Sequence, residues 1–413
     1  MGHWKARACG SGRDTGSSQA HPPVLCGESA NFGANVQGVG KYGKLPTTHS
    51  IWPDCKGKTE MIDALRLDPN GDGVRFFDFL DVDRRKQIIR DVRAGLTRPH
   101  KSIPSKYFYD LYGSRLFEQI TRTPEYYLTR TELSILERSA PAIMEFLACD
   151  GGDIVELGSG STTKIKKLLD AAYTDGGGRF RYISVDICGS CIETVIEELP
   201  VLYPGLEVLG LRADFTSRLY MPPRGKKLMA FFGSTIGNFT ERECAVFLGK
   251  IKRIMNPEDR LLIGMDMVKP LPVMEAAYND SEGITRRFNL NILSNLNREL
   301  KADFDLNDFQ HLAFFNPDRE RIEMHLRAKR AVSAWISDLS MAVTFRKGET
   351  IHTEICQKFS RERIERVFSE AGFWIEQWFT DSKGWFSLVV VKPQTPVLGP
   401  AGKIPIFDGG DLP

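Results

Sequence analysis

Short apolar runs alternate with helix-like segments along the chain beyond residue 150. Such alternation is typical of a parallel sheet that helices cover on both faces. The last two runs are separated by only four residues, which predicts a hairpin and hence an antiparallel strand at the end of the sheet. The predicted strands are Ile154–Leu157, Tyr182–Val185, Leu206–Leu209, Leu228–Phe232, Leu261–Met265, Trp374–Thr380 and Trp385–Val391.

The region ahead of these strands has a helical pattern instead. Ile88, Val92 and Leu96 are spaced for one face of a helix. We therefore predict an N-terminal helical cap, followed by an α/β core that a long insertion interrupts. The predicted domains are the cap at 61–150, the core at 151–267 and 359–393, and the insertion at 268–358.

The insertion at 268–358 is too long for a plain crossover between strands, so we expect it to carry function. Its own alternation of apolar and polar positions predicts an α+β substrate-binding domain. In its last predicted strand, Glu354 and Cys356 share the face opposite the odd-numbered positions 351–355. An acid in that place does not simply belong to an apolar face and is a candidate pocket residue.

Both ends of the chain lack hydrophobic periodicity. Residues 1–60 are rich in Gly, Ser, His, Pro and Cys and poor in acids, which predicts a disordered extension. An organelle-targeting segment is the alternative interpretation of the same composition. Residues 394–413 are rich in Pro and Gly and are predicted to form a flexible tail.

Composition narrows the class of ligand. The 413 residues carry a net charge of +2, from 55 basic and 53 acidic side chains, which does not match the basic footprint of nucleic-acid binding. The longest apolar runs are far shorter than the roughly 20 residues that span a bilayer. We therefore expect a protein that binds a small molecule, with no nucleic-acid or membrane partner. We also expect a monomer.

Eight cysteines are spread over this long chain, which favours reduced thiols, no disulfides and a cytoplasmic location. Cys188 and Cys191 match the C-x-x-C spacing that redox and zinc sites use. The sequence has no second pair of this kind and no convincing histidine spacing for a metal. We interpret the match as a coincidence and expect no metal.

A candidate ligand site begins where the first core strand meets a glycine loop. Gly158 and Gly160 let the backbone turn tightly and approach a ligand closely. The dinucleotide fingerprint needs a small residue where Thr163 stands, so a dehydrogenase is disfavoured. S-adenosylmethionine fits better because it contains adenosine and an amino acid but no phosphate.

Charged residues follow the loop and the next two strands. Asp186 ends the second strand, where a carboxylate can accept both ribose hydroxyls. Asp214 and Phe215 follow the third strand and suit the adenine amino group and the face of the base. Lys164 lies within reach of the cofactor carboxylate. A cap or turn role for the acids and a solvated lysine are the ordinary alternatives.

Several longer motifs are more specific than the glycine loop. They are Lys101-Ser-Ile-Pro, Phe108-Tyr109-Asp110, Phe117 to Thr121, Pro124-Glu125-Tyr126-Tyr127 with Thr129-Arg130-Thr131-Glu132, Gly233-Ser234-Thr235-Ile236-Gly237-Asn238, Arg321-Ile322-Glu323-Met324 and His352 to Phe359. Together with the glycine loop they resemble the histidine Nα-methyltransferase family of ergothioneine biosynthesis, over about residues 85 to 393.

The resemblance implies a Rossmann-like, S-adenosylmethionine-dependent enzyme that trimethylates the α-amino nitrogen of L-histidine to give hercynine. It implies that Gly158, Lys164, Asp186, Asp214 and Phe215 hold the methyl donor, in agreement with the loop and strand pattern. The amino and carboxylate groups of the substrate are implied to lie among four polar side chains, one of which, Tyr109, is the candidate for assisting proton removal. These four residues are Tyr109, Tyr126, Asn238 and Tyr278.

The ring of the substrate is implied to lie between Met324, Glu354 and Cys356. A partly buried carboxylate at Glu354 is satisfied by an imidazole N–H or an imidazolium. Cys356 departs from the serine usual in the family and weakens one hydrogen bond to the ring. An N-methyltransferase of an indole amino acid is the alternative, although an indole offers one donor and no charge. A non-catalytic cofactor-binding protein is a further alternative.

Overall fold

The structure, a computed structural model, describes residues 74–80, 84–147, 151–173, 180–216 and 225–394. These residues all belong to the compact unit that begins at Ile62. The predicted extension at 1–60 and residues 395–413 of the predicted tail lie outside the described residues. Both therefore stay predictions from the sequence.

The strands of the described residues form three sheets. In chain order they are β1 (Val74–Asp78), β2 (Lys101–Ser102), β3 (Gly152–Leu157), β4 (Phe180–Asp186), β5 (Glu207–Arg212), β6 (Lys227–Phe231), β7 (Arg260–Asp266), β8 (Phe309–Asn316), β9 (Arg321–Ala328), β10 (Val332–Ile336), β11 (Met341–Phe345), β12 (Thr350–Gln357), β13 (Phe373–Thr380) and β14 (Phe386–Pro393). The large sheet has the order β1-β5-β4-β3-β6-β7-β14-β13, a second sheet has the order β2-β12-β9-β8, and β10 pairs with β11.

The large sheet is parallel except at one edge. β3 pairs in parallel with β4 and β6, whereas β14 pairs antiparallel with β7 and β13. The strand order reverses at β3, and ligands of such sheets bind at the carboxyl ends of strands beside a reversal. All seven predicted strands and the closing hairpin are present, so the predicted Rossmann-like α/β fold is confirmed.

The helices pack apolar stripes against these sheets. In α1 the predicted face is confirmed, since Ile88, Val92 and Leu96 are all buried. The helices are α1 (Arg84–Leu96), α2 (Leu111–Arg122), α3 (Tyr127–Met144), α4 (Thr163–Tyr173), α5 (Gly189–Leu202), α6 (Glu241–Ile254), α7 (Leu271–Ala276), α8 (Ile284–Leu300) and α9 (Arg361–Glu370). Among the described residues we find no helix that is long and apolar enough to cross a bilayer.

The N-terminal region at 61–150 is not purely helical, and the prediction is wrong in that respect. β1 is an edge strand of the large sheet, with Val74 opposite Val208 in parallel pairing. β2 pairs in parallel with β12. These strands are five and two residues long, which is too short for hydrophobic alternation to distinguish them from loops. The division of the chain at 268–358 stays a prediction.

A β-bulge in β12 lies beside the predicted pocket residues. His352 is opposite His325 on β9, and the next pair is Glu354 opposite Met324. Thr353 is therefore the extra residue, because its two neighbours face consecutive positions of the partner strand. A bulge of this kind changes the direction of the side chains on either side of it. Such bulges are frequent next to active sites.

The bulge corrects one prediction about the faces of β12. Glu354 and Cys356 share a face, as predicted. Ile351, however, is opposite Leu326, which shares its face of β9 with Met324, the partner of Glu354. Cross-strand partners lie on the same side of a sheet, so Ile351 and Glu354 lie on the same side. Simple alternation was wrong there because the extra residue shifts it by one position.

Gly264 in β7 leaves the space that a fully buried acid needs. A Cβ atom at Gly264 would lie 2.2 Å from Oε1 of Glu132 and 3.1 Å from the ring of Phe386. We predict that Gly264→Ala lowers the free energy of unfolding by about 2 kcal/mol, the scale of an overpacked core, as measured by urea denaturation. Gly249→Ala in α6 is the control, because nothing lies within 4 Å of its Cβ position and a helical alanine stabilises by about 0.5–1 kcal/mol. Equal effects of the two substitutions would contradict this account.

Candidate functional site

The glycine loop follows β3 directly. Gly158 and Gly160 have φ angles of 73° and 51°, in the left-handed region that favours glycine. The N–H of Gly158 donates to the carbonyl of Val185, at 2.7 Å, which ties the loop to the end of β4. A Cβ atom on Gly158 would lie 3.5 Å from the ring of Phe215, so the loop and the ring define one narrow space.

Asp186 ends β4 and faces the loop. Its two carboxylate oxygens accept backbone N–H groups from opposite sides, from Gly160 at 2.9 Å and from Cys188 at 2.8 Å. Burial raises the pKa of Asp186, and these two hydrogen bonds oppose that rise. The carboxylate is thus held in one orientation at the carboxyl edge of the sheet, with lone pairs left for a diol.

Asp214 and Phe215 lie on the loop after β5. The Thr216 N–H and hydroxyl both donate to Oδ1 of Asp214, at 2.9 and 2.5 Å. This oxygen therefore stabilises a turn, which was the ordinary alternative for this acid. Phe215 is half-buried, and its ring meets that of Phe231 edge-on with 5.4 Å between centroids. The phenyl ring is therefore fixed next to the glycine loop.

Lys164 in α4 is paired with an acid that the sequence analysis did not select. Its Nζ lies 2.7 Å from Oε2 of Glu132, whose side chain is fully buried. The N–H of Gly233 donates to the same carboxylate at 2.9 Å. Glu132 therefore anchors both the predicted cofactor lysine and the loop after β6. The signal for it was the Thr-Glu pair at the end of the Pro-Glu-Tyr-Tyr motif.

Cys188 and Cys191, whose C-x-x-C match nothing in the sequence linked to a metal or redox role, form a disulfide, so the prediction of no disulfides is wrong. The physical reason is local. Cys188 caps the N-terminus of α5 and Cys191 lies in its first turn, which places their Cα atoms 5.3 Å apart, within the range that a disulfide requires. The two other described cysteines, Cys244 and Cys356, are free and buried.

A cavity bordered by the loop after β6, which includes Gly233 and Thr235, brings together all seven predicted substrate residues. Aromatic rings form one wall, where Tyr126 meets Tyr278 edge-on with 6.5 Å between ring centroids. The structure thus assembles residues from the N-terminal region, the core and the insertion around one space. The predicted residues that line it are Tyr109, Tyr126, Asn238, Tyr278, Met324, Glu354 and Cys356.

Glu354 lies in the cavity wall with Met324 opposite it on β9. The side-chain amide of Asn238 donates to its Oε1 at 3.2 Å. Burial raises the pKa of Glu354 to about 7, against the opposing effects of the Lys358 charge and the Asn238 hydrogen bond. A carboxyl group of this kind gains from any ligand that brings a donor or a positive charge.

Tyr109 keeps its proton in this environment. Burial raises the pKa of its hydroxyl well above the ordinary value, and the nearby Glu354 charge acts in the same direction. Burial also raises the pKa of Tyr126 and Tyr278. These side chains are therefore neutral phenols that can donate one hydrogen bond and accept another. A phenolate acting as a strong base does not fit this geometry.

Two phenylalanines in the cavity wall were not selected from the sequence. Phe117 packs edge-on against both Tyr109 and Tyr126, with centroids 5.8 and 6.2 Å apart, and Phe288 packs against Tyr109 at 5.7 Å. They fix the tilt of the tyrosine rings. Phe117 opens one of the specific motifs, whereas Phe288 lies in a helix of the insertion, where apolar periodicity alone gives no functional signal.

Comparison with known proteins places the chain in a family. Residues 88–393 match the model of the histidine-specific, S-adenosylmethionine-dependent methyltransferases. The chain belongs to this family. It is 44% identical to the histidine N-alpha-methyltransferase of Mycolicibacterium smegmatis, over 75% of this chain and 97% of that protein. The match to the enzyme of the same name from Mycobacterium tuberculosis is 41% identical, over 72% and 92%.

A third relative is larger than this chain. Ergothioneine biosynthesis protein 1 of Neurospora crassa is 30% identical over 71% of this chain but only 34% of that protein. The family's methyl donor is S-adenosylmethionine, and the site fits it. Two glycines with positive φ open a space that the Phe215 ring borders, and the Asp186 carboxylate stands at its edge.

A network of buried charges lies directly behind the cavity of this methyltransferase. Asp266, fully buried at the end of β7, is 2.7 Å from Nζ of Lys358 and 2.5 Å from Nζ of Lys269. The Tyr127 hydroxyl donates to the same carboxylate at 2.7 Å. Two lysine side chains therefore share one carboxylate, and burial lowers the pKa of Lys269 to about 8.

Lys358 connects this network to the cavity. Its ammonium donates to the Tyr278 hydroxyl at 3.1 Å and to Sγ of Cys356 at 3.2 Å. Burial alone would favour the neutral amine, but the Asp266 charge raises the pKa of Lys358 well above its ordinary value. Lys358 was not selected from the sequence, although positions 354, 356 and 358 follow the period of a strand face.

A group outside the cavity bears on the prediction of no metal. Glu323, His325 and His352 each place one potential ligand atom within 4.8 Å of the others. His325 Nε2 lies 3.2 Å from Oε2 of Glu323, and Arg321 holds the other oxygen of this carboxylate. The histidines come from different strands, so their spacing along the chain gave no signal. The absence of a metal stays a prediction.

Lys358 and Lys269 offer a matched pair of variants. Lys358→Met and Lys269→Met each remove one ammonium group from Asp266 and leave the other, but only Lys358 donates to the cavity residues Tyr278 and Cys356. We predict that Lys358→Met raises KM for the amino acid about tenfold, the lower end of the range for a charged hydrogen bond, whereas Lys269→Met changes KM less than about twofold. Steady-state kinetics at saturating methyl donor measure both. Equal changes in KM would show that the charge acts only through stability.

Proposed function

We propose that this chain transfers methyl groups from S-adenosylmethionine to the α-amino nitrogen of L-histidine, and that three successive transfers give hercynine, the trimethylammonium betaine. The observation that carries the choice of histidine is Glu354, a half-buried carboxyl group whose pKa burial raises to about 7. An imidazole N–H or imidazolium supplies the hydrogen bond and the charge that this group lacks. The names of the mycobacterial relatives support the same substrate.

The methyl donor is proposed to lie between the glycine loop and Phe215. Gly158 and Gly160 let the backbone approach it, Asp186 accepts the ribose hydroxyls, and Asp214, whose Oδ1 accepts from Thr216, accepts the adenine amino group. Lys164, which Glu132 holds in place, faces the donor's carboxylate. S-adenosylmethionine supplies an electrophilic methyl group on a positively charged sulfur.

Positioning is the main task of the residues around the amine, because methyl transfer is an in-line displacement that needs a lone pair aligned with the methyl group. Tyr109 and Tyr126 are neutral phenols, and their oxygens can accept the N–H groups of the amine. Tyr109 is proposed to orient the amine and to help transfer the amine proton to water. We assign no carboxylate base to the position beside the amine.

Repeated methylation suits this arrangement. A carboxylate beside the amine would bind a charged methylammonium product tightly. The hydrogen bond of the Tyr109 hydroxyl, in contrast, can break as methyl groups are added. The carboxylate of the substrate is proposed to lie near Tyr278, on the side where Lys358 brings positive charge. Asn238 donates a hydrogen bond to Glu354 and is proposed to contact both ends of the substrate. The name of the Neurospora relative supports a place in ergothioneine biosynthesis.

Methylation of an indole amino acid is the alternative function. Glu354 disfavours it, because an indole ring has one donor and no positive charge, and a desolvated carboxylate beside an apolar ring is costly. A binding protein without catalysis is disfavoured by the complete set of polar side chains around the amine position. A cytoplasmic location and a monomeric state stay predictions from the sequence.

The test of the proposed function is an acceptor panel. The purified chain is incubated with S-adenosylmethionine carrying a labelled methyl group and with each amino acid in turn, and the products are identified by mass spectrometry. We expect histidine to gain three methyl groups on the α-nitrogen. Methylation of tryptophan without methylation of histidine would contradict the role of Glu354.

Glu354→Gln should stabilise the protein and weaken the enzyme. Since burial raises the pKa of Glu354 to about 7, the folded state holds its proton more tightly than the unfolded state. Ionisation of Glu354 therefore lowers the free energy of unfolding as the pH rises from the ordinary pKa of a glutamate to about 7. Below that ordinary pKa the carboxyl group has no such effect. We predict that Glu354→Gln is more stable than the wild type by about 2 kcal/mol at about pH 8 and about equal near pH 4.

The same variant should bind histidine less well. Loss of a charged hydrogen bond corresponds to a rise in KM of about thirtyfold. Chemical denaturation at the two pH values and steady-state kinetics measure the two effects. A variant that is less stable than the wild type at the higher pH would show that Glu354 serves the fold and not the substrate.

A further inference from the structure

The Cys188–Cys191 disulfide lies at the edge of the donor site. Cys188 caps the N-terminus of α5, a helix of 14 residues, and Cys191 follows in the first turn. Both residues are half-buried. The pair is therefore partly exposed to solvent, unlike a fully buried structural disulfide.

The surroundings of Cys188 stabilise a negative charge on its sulfur. The N–H of Cys191 donates to Sγ of Cys188 at 3.3 Å, and the Ser114 hydroxyl donates to it at 3.8 Å. The Ser190 hydroxyl lies 3.3 Å from the same sulfur. Sγ also lies at the positive end of the helix dipole. These features are typical of cysteines that exchange between thiol and disulfide.

The same turn holds the donor-site carboxylate. The backbone N–H of Cys188 donates to Oδ1 of Asp186 at 2.8 Å, while Gly160 holds Oδ2 at 2.9 Å. One of the two hydrogen bonds that orient Asp186 therefore comes from a residue of the disulfide. A covalent link that fixes the backbone at Cys188 also fixes this hydrogen bond.

We propose that Cys188 and Cys191 are a redox-active pair that exchanges with low-molecular-weight thiols, and that the disulfide form holds Asp186 ready for the methyl donor. In the first step a thiolate attacks Sγ of Cys191. A new S–S bond forms, the Cys188–Cys191 bond breaks, and Cys188 leaves as a thiolate that the N–H of Cys191 and the serine hydroxyls stabilise.

A second thiol completes the exchange. It attacks the mixed disulfide at the sulfur of the small molecule, which releases Cys191 as a thiol and a small-molecule disulfide. Two thiols are oxidised, one protein disulfide is reduced, and the two thiol protons end on Cys188 and Cys191. The link to the donor rests on the role of Asp186 given in the proposed function, whereas the exchange itself does not.

The exchange is tested on the wild-type full-length chain. The protein is equilibrated over a series of ratios of reduced to oxidised glutathione, free thiols are trapped with iodoacetamide, and the tryptic peptide that contains residues 188–191 is analysed by mass spectrometry. This readout separates the pair from the other cysteines of the chain. We expect the peptide to change from the disulfide to the doubly alkylated form as the ratio rises. Two alkylated cysteines at every ratio, or a disulfide at every ratio, would overturn the proposal.

The link to the donor is tested by calorimetric titration with S-adenosylhomocysteine, the demethylated donor. We expect the oxidised protein to bind it about fivefold more tightly than the reduced protein, the scale of fixing one residue of backbone. Cys191→Ser should have the affinity of the reduced protein under both conditions. Cys244→Ser, which removes a buried free thiol in α6, is the control and should respond to reduction like the wild type.

Equal affinities of the oxidised and reduced wild type would overturn the link. Asp186→Ala distinguishes this result from a failure of the proposed function. If Asp186→Ala leaves the affinity for S-adenosylhomocysteine unchanged, the ribose assignment fails and the link fails with it. If that variant binds weakly while the two redox forms bind alike, the ribose assignment stands and the redox link is wrong.

Discussion

A buried carboxylate must find a partner, and this constraint organises the site. Glu132 is fully buried and pairs with Lys164, and Asp266 is fully buried between two lysines. Glu354 differs, because the side chain that donates to it is the neutral amide of Asn238 and burial raises its pKa to about 7. Lysine side chains offset the cost of desolvating Glu132 and Asp266. At Glu354 this cost is left for the substrate to offset.

A positive charge lies next to the same cavity. Lys358 donates to Tyr278 and Cys356 in the cavity wall, and Glu354 lies in the wall formed by β9 and β12. A zwitterionic amino acid with a basic ring and a carboxylate can place its ring against Glu354 and its carboxylate near Tyr278 in one orientation. In the proposed function, that orientation directs the amine to Tyr109 and Tyr126. Selection of the substrate and alignment of the reacting nitrogen are then consequences of one electrostatic arrangement.

The sequence predicted the core of the fold because its signals are local. Seven apolar runs marked the strands, and the glycine loop with Asp186 marked the edge where the loop and β4 meet. The seven predicted cavity residues also lie together, because specific motifs carried them. Glu132 and Lys358 lie within these motifs, but the contacts that give them a role join distant segments, and local patterns do not reveal such contacts. β1 and β2 were too short for periodicity to detect.

Two errors have the same physical origin, a local deviation from regular structure. The bulge at Thr353 shifts the alternation of β12 by one residue and moves Ile351 to the side of Glu354. The turn at the start of α5 brings Cys188 and Cys191 together, which a count of scattered cysteines did not reveal. Both deviations lie next to the predicted binding residues, where irregular backbone is most often found.

The central claim is that Glu354 selects a ring that can donate a hydrogen bond. The most direct measurement compares the affinity of histidine with that of β-(2-thienyl)alanine, whose five-membered aromatic ring is of similar size but has no N–H, by calorimetric titration of the protein saturated with S-adenosylhomocysteine. The account predicts that histidine binds about thirtyfold or more tightly. Equal affinities would contradict it, because shape alone would then explain the choice of substrate.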